Sequence, residues 1–214
     1  GQSHLLDLHT SQKLKLAAAL PLLQKLDLSQ GGLETYHDEA LAYLPGLESL
    51  SLDENPIEAW PEVDGGFPKL LHVQLANTQI SSWSALSGLR LCPLWQSLRL
   101  RSTPLTEEVG SASARSQLIA RFPSLAVLNA SLVSTIERQE SERRYVANVT
   151  RLLQKKDVDR SAILAEHVTY TQLSQVHATV LESVQAEASG RLSGSGWNDS
   201  LVTVSVRSMA AQSC

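Results

Sequence analysis

The residues Leu47 to Ile57 read L-x-x-L-x-L-x-x-N-x-I, and the same spacing of apolar positions returns along most of the chain. One copy precedes it, at Leu23, Leu26, Leu28, Gly31 and Leu33. Two follow, at Leu70, Val73, Leu75, Thr78 and Ile80 and at Trp95, Leu98, Leu100, Thr103 and Leu105. A degenerate copy uses Leu125, Leu128, Ala130 and Val133. The alternation at the centre of the pattern puts Leu50 and Leu52 on one face of a short strand and Ser49, Ser51 and Asp53 on the other. A unit this small cannot bury its apolar side alone, so the copies must stack on one another.

Three further markers share the phase. Equivalent leucines step by 24 from Leu28 to Leu52, by 23 to Leu75 and by 25 to Leu100. Pro21, Pro45, Pro68, Pro93 and Pro123 each stand two residues before the first apolar position, where the chain must turn into a strand. Tyr36, Trp60 and Trp83 each follow the last apolar position of their copy by three residues and suit the filling of a convex-side core. Together these predict an α/β leucine-rich repeat solenoid, with short parallel strands on the concave face and helices and loops on the convex face. Short helices are expected over Asp38–Leu44, Ser84–Leu91 and Glu107–Phe122, the last inside an atypical closing repeat. A ragged first repeat places Leu6 and Leu8 at strand positions. Asn appears at the corner of the template only as Asn55, so Thr78, Thr103 and Ser131 are expected to take over its hydrogen bonds.

At Ser134 the pattern changes. Ser134-Thr-Ile-Glu137 has the spacing of a capping box, predicting a long helix to about Lys156. Its charged first half reads as a solvated face with i to i+4 pairs, and Tyr145, Val146, Val149, Leu152 and Leu153 form an apolar stripe. A second helix is expected from Ser161 to about Val184. The division that results is a solenoid with its cap over residues 1–133, a C-terminal helical extension over 134–184, a flexible linker over 185–200 and, within 201–214, one alternating strand pattern that is expected either to be disordered here or to be the first strand of a truncated domain.

The chemistry-bearing residues are sparse. The net charge of −4, from 18 basic and 22 acidic side chains, gives no footprint for nucleic acid or an anionic membrane. The apolar run Leu14–Leu23 is too short to span a bilayer. Cys92 and Cys214 are too few for a disulfide framework, Cys92 is expected as a small buried thiol, and the setting reads as intracellular. The glycosylation-type tripeptides at Asn129, Asn148 and Asn198 lack a signal peptide and are expected to be unused. His167 and His177 lie ten apart, without metal-ligand spacing, and no phosphate loop or nucleophile elbow is present. No metal, no cofactor and no catalytic residues are expected, so the chain is not read as an enzyme.

What remains is surface. The outward positions of the strands are Lys25, Asp27, Ser49, Ser51, Asp53, His72, Gln74, Ser97, Arg99 and Arg101, with Ser29, Ala76, Val127 and Asn129 in the same register. They grade from acidic and polar to basic at Arg99 and Arg101. This set reads as a contact patch for a partner with acidic character, against the plainer reading of solubilising residues on a half-exposed sheet.

The block from Ile80 to Leu105, then Ala114-Arg-Ser-Gln-Leu-Ile-Ala-Arg121, Leu125-Ala-Val-Leu-Asn129 and Glu142-Arg-Arg-Tyr145, resembles tubulin-folding cofactor E. His167-Val-Thr-Tyr170-Thr-Gln-Leu173 continues the likeness, and Leu201–Val206 resembles the first strand of that family's ubiquitin-like domain. Nothing here resembles its CAP-Gly domain. The resemblance implies a chaperone module that binds α-tubulin during assembly or dissociation of the α/β-tubulin heterodimer, with the other folding cofactors as partners. It implies a cytoplasmic, cytoskeleton-associated monomer. The alternative is a leucine-rich repeat scaffold of another complex, for example a spliceosomal one, whose cap ends similarly.

Overall fold

The computed structural model describes residues 20–33 and 39–188. The expected first strand at Leu6 and Leu8, Tyr36, the region from 189 onward and the strand at Leu201–Val206 lie outside the described residues. Within them a six-stranded sheet runs in chain order: β1 (Lys25–Asp27), β2 (Ser49–Ser51), β3 (His72–Gln74), β4 (Ser97–Arg99), β5 (Val127–Leu128) and β6 (Ser131–Leu132). Neighbours from β1 to β5 pair in parallel, with Leu26, Leu50, Val73, Leu98 and Leu128 forming one row across the sheet. That row, with Leu52, Leu75 and Leu100 above it, faces a continuous apolar core. The fold is a leucine-rich repeat solenoid, and its phase is the one read from the sequence.

The prolines do what their spacing predicts. Pro21, Pro45, Pro68 and Pro123 each open a two-residue turn ahead of a strand, and Pro93 opens a bend at the equivalent place. After each strand the chain passes through a left-handed residue at Gln30, Glu54, Asn77 and Ser102, with φ of 58°, 60°, 56° and 53°. Non-glycine residues adopt this region at a cost. The geometry extends the ladder past the strands, because the Gln30, Glu54 and Asn77 amides donate to the Asp53, Ala76 and Arg101 carbonyls.

The corner bonds divide differently from expectation. Asn55, 1% exposed, donates to the carbonyls of Leu28, Leu52 and Asp53 and accepts from the Leu33 amide, so it ties the repeats of β1 and β2 together. Thr78 substitutes partly, donating to the Leu75 carbonyl at 2.8 Å. Thr103 instead caps α2 (Pro104–Val109), where its hydroxyl accepts from the Thr106 amide and Pro104 begins the helix. Ser131 is drawn into β6, which folds back antiparallel on β5. Asn129 takes the role instead: its carboxamide accepts from the Leu100 amide at 2.8 Å and donates to the Leu100 carbonyl at 3.2 Å.

On the convex side, α1 (Glu39–Ala42) is short, and the short helix expected over Ser84–Leu91 is a 3₁₀ helix. There Gly88 abuts the Pro61 carbonyl so closely that a Cβ would stand 2.2 Å from its oxygen. The single helix expected over Glu107–Phe122 is two, α2 and α3 (Ser111–Arg121), because Gly110 lies between them at φ 79°, ψ 144°, a conformation open in practice only to glycine. Trp60 is buried against Phe67, with ring centroids 5.1 Å apart, and Trp83 is half-buried against the same core.

The long helix is α4 (Thr135–Gln154), which packs chiefly on α3 and on α7 (Ala178–Ala188). Tyr145, Val146, Val149 and Leu153 bury as the stripe predicts, with Leu152 half-buried. The expected second helix is three: α5 (Arg160–Glu166), α6 (Tyr170–Val176) and α7. The breaks fall at His167 and His177, whose backbones leave the helical region and whose rings turn into the interior. Helix α7 runs to Ala188, into the span expected as linker from 185.

Candidate partner-binding surface

The sheet's outward face collects the predicted set in two groups. Ser49, His72, Gln74, Ser97, Arg99 and Arg101 line one concave depression of about 460 Å3, together with Asn129. Lys25, Asp27, Ser51 and Asp53 lie outside it. Lys25, Asp27, His72 and Arg101 are exposed; Ser49, Gln74, Ser97 and Arg99 are half-buried; Ser51 and Asp53 are buried. Ala76, expected on the same face, is fully buried.

The charges on this face are largely spent within the fold. One oxygen of Asp53 accepts from the Ala76 amide at 2.7 Å, and the other meets Arg99 at 3.1 Å. Arg99 also donates to Gln74 at 3.3 Å. The acidic to basic gradation therefore does not reach the surface as read from the sequence: its acidic centre and half of its basic end neutralise each other. Asp27 accepts from the amide and hydroxyl of Ser29, which hold its pKa below the ordinary carboxylate value. Ser29 in turn meets the Ser51 hydroxyl at 2.8 Å. The cations left exposed are Lys25 and Arg101.

A second polar assembly was hidden from sequence reasoning, at the junction of solenoid and helical extension. The charged first half of α4 is not simply solvated. Ser134 accepts from the Glu137 amide as predicted, but the Glu137 carboxylate takes a two-pronged contact from Arg115 at 2.6 and 2.9 Å instead of reaching back. That contact lowers the pKa of Glu137 and raises that of Arg115. Arg138 donates to the carbonyls of Ile119 and Leu125, and Glu142 meets His177 at 3.0 Å. Arg144 with Glu140, at 2.8 Å, is the expected surface pair.

Deeper in, Arg121 is 2% exposed and lies 4.6 Å from the centre of the Trp83 ring. It donates to the Glu166 carbonyl at 3.0 Å and meets its carboxylate and His167 Nδ1 at 3.3 Å. A guanidinium only donates, so Nδ1 is an acceptor, and the Tyr145 hydroxyl donates to it at 3.0 Å. Burial, and then the Arg121 charge, lower the His167 pKa, so the ring is held neutral. Cys92 is buried with its thiol 3.8 Å from the Gly88 carbonyl, and burial pushes its pKa up to about 11. A thiol so protonated is a packing group at neutral pH. No helix among the described residues is long and apolar enough to cross a membrane.

No family model matches the chain. Among curated proteins it is 33% identical over 106 residues to the tubulin-specific chaperone cofactor E-like protein of Homo sapiens, a match covering 48% of this chain and 25% of that protein. It is 29% identical over 160 residues to the tubulin-folding cofactor E of Arabidopsis thaliana, covering 70% and 30%. To the tubulin-specific chaperone E of Homo sapiens it is 33% identical over 135 residues, covering 59% and 26%. The chain thus spans between a quarter and a third of the length of these relatives. Among solved structures, a chain of the Drosophila melanogaster SNF/U2A' complex superposes with a TM-score of 0.53 at 22% identity, over 66% of this chain and 74% of that one. That likeness shows the repeat fold. In sequence the chain is similar to tubulin-specific chaperone E and cofactor E-like proteins.

Proposed function

We propose that this chain is a tubulin-folding cofactor module that holds α-tubulin on the concave face of its repeat sheet during heterodimer assembly or dissociation, in the cytoplasm and alongside other folding cofactors. The observation that carries the reading is the likeness to several tubulin chaperones, joined to a concave sheet face on which Lys25, Asp27, His72 and Arg101 are exposed. The role is one of surface contact without a catalytic step. Extended concave faces are how solenoids hold other proteins.

The test is gel filtration of the chain with purified α,β-tubulin, and the geometry dictates the variant. Reversing Arg99 would set a carboxylate beside Asp53 and perturb the sheet itself. Lys25→Glu with Arg101→Glu changes only exposed cations. A co-eluting peak in the wild type and a loss of affinity of about tenfold or more in the double variant, roughly 1.4 kcal/mol, is the expected result. Undiminished affinity in a folded double variant would remove the concave face as the site. Failure of the wild type to bind would move tubulin recognition out of this part of the molecule.

A further inference from the structure

Ahead of β5, the exposed large apolar side chains among the described residues are Leu20, Leu22, Tyr43, Leu91 and Leu94, and each stands three to six residues before the first residue of a strand. They therefore share one rim of the solenoid, the edge at which the strands begin. Exposed apolar residues scattered singly need no explanation, but a set gathered on one edge marks a contact surface. Tyr43 and Leu91 hold equivalent places, each seven residues before its aligned strand leucine, Leu50 or Leu98. Strand β3 lies between those strands, so two strand spacings, about 10 Å, separate the two side chains. Gly66 holds the same place in the repeat between them and adds no side chain. A rise of about 10 Å is also that of seven helical residues.

The charge on this rim is unanswered at Arg90, the neighbour of Leu91. Its guanidinium lies 5.1 Å from the centre of the Phe122 ring, and its Nε is buried without an acceptor. No carboxylate among the described residues pairs with it. Burial lowers its pKa, and Arg121 lies close enough for the two charges to oppose each other. A half-buried cation left unpaired is costly, and an incoming carboxylate relieves that cost. One repeat further on, the structure shows such a contact made. Arg121 is stacked in the same way, 4.6 Å from the Trp83 ring, and takes both the main-chain carbonyl and the carboxylate of Glu166, the last residue of α5. A helix end bearing a glutamate is thus what this rim already accepts from within the chain.

We propose that the rim docks an amphipathic helix of a partner protein, with its apolar side on Tyr43, Leu91 and Leu94 and a glutamate at its C-terminal end on Arg90. The surface is separate from the concave depression, and the inference stands independently of the concave-face reading. The experiment is fluorescence anisotropy of a labelled, C-terminally amidated peptide stapled as a helix on its far side. It carries leucines at i, i+3 and i+7 and a single glutamate in its last turn, beside the same peptide with glutamine for glutamate. The chain is used whole, as wild type, as Arg90→Met, which keeps an apolar stem over Phe122, as Tyr43→Ser with Leu94→Ser, and as Arg101→Glu on the concave face.

The expected result is that the glutamate peptide binds the wild type about fivefold or more tightly than the glutamine peptide does, and that Arg90→Met binds the two equally. Tyr43→Ser with Leu94→Ser should weaken both peptides about tenfold, and Arg101→Glu should leave both unchanged. No binding to the wild type, or equal binding of the two peptides to it, would overturn the proposal. So would a preference for glutamate that survives in Arg90→Met, undiminished binding in the folded serine variant, or a loss in Arg101→Glu.

Discussion

At the scale of single residues, the fold hangs on a few side chains with no freedom to be replaced. Asn55 spends its whole carboxamide on backbone groups of two repeats. Asn55→Ala strands those buried partners and should cost about 2 to 4 kcal/mol in urea unfolding, more than its side-chain volume alone would suggest. Gly88→Ala should be destabilising by about 1 to 3 kcal/mol, because its methyl would meet the Pro61 carbonyl, a backbone atom that cannot swing aside. His167 carries a pH dependence. Its folded pKa lies below the ordinary 6.5, so as pH falls through that window the unfolded chain takes up the proton first and stability drops. Unfolding free energies measured from neutral pH downward should decline less steeply in His167→Gln, which keeps an acceptor for Arg121 but does not titrate; identical slopes would show that the imidazole is not the group responsible.

At the scale of elements, the repeats and the long helix α4 were legible and the breaks within the other helical spans were not, for a physical reason. A strand residue's neighbours in the sheet are set by period two and by a turn, both local, so Leu26, Leu50, Val73, Leu98 and Leu128 could be aligned by spacing and proline alone. The breaks in the extension depend on contacts across 45 and 35 positions, Arg121 to Glu166 and Glu142 to His177, which no window along the chain contains. Gly110 was readable in principle, since an isolated glycine in a helical pattern flags a boundary. The outward face of the sheet was legible as a set of positions, but the pairing of Asp53 with Arg99 was not, because it crosses an intervening strand. The Arg115 to Glu137 contact fixes the start of α4 on the solenoid. Glu137→Gln should leave the repeats intact and speed amide hydrogen exchange in the first turns of α4 several-fold, a loss of up to about 1 kcal/mol for a half-exposed pair. Unchanged exchange there would mean that the Arg138 contacts alone hold the helix.

At the scale of the molecule, solenoid and extension share an apolar boundary beside the polar contacts of Arg115, Arg121 and Arg138: Ala120 of α3 belongs to the apolar cluster built by Tyr145, Val146, Val149 and Leu173. A chain ending at Val133 exposes the outer side of α3 and should lose about 3 kcal/mol, roughly 6 to 12 °C in Tm by calorimetry. An unchanged transition would mean that the extension folds as a separate unit. The Asp53 to Arg99 contact has a mechanical meaning as well as an electrostatic one. It joins the end of β2 to β4 and passes over β3, so it is a chord drawn across the arc of the sheet. Flattening the arc stretches this chord while every strand-to-strand bond keeps its length, and tightening the arc lets it slacken. A partner that draws Arg99 away from Asp53 therefore softens the solenoid against bending, and the curvature it meets becomes something it helps to set.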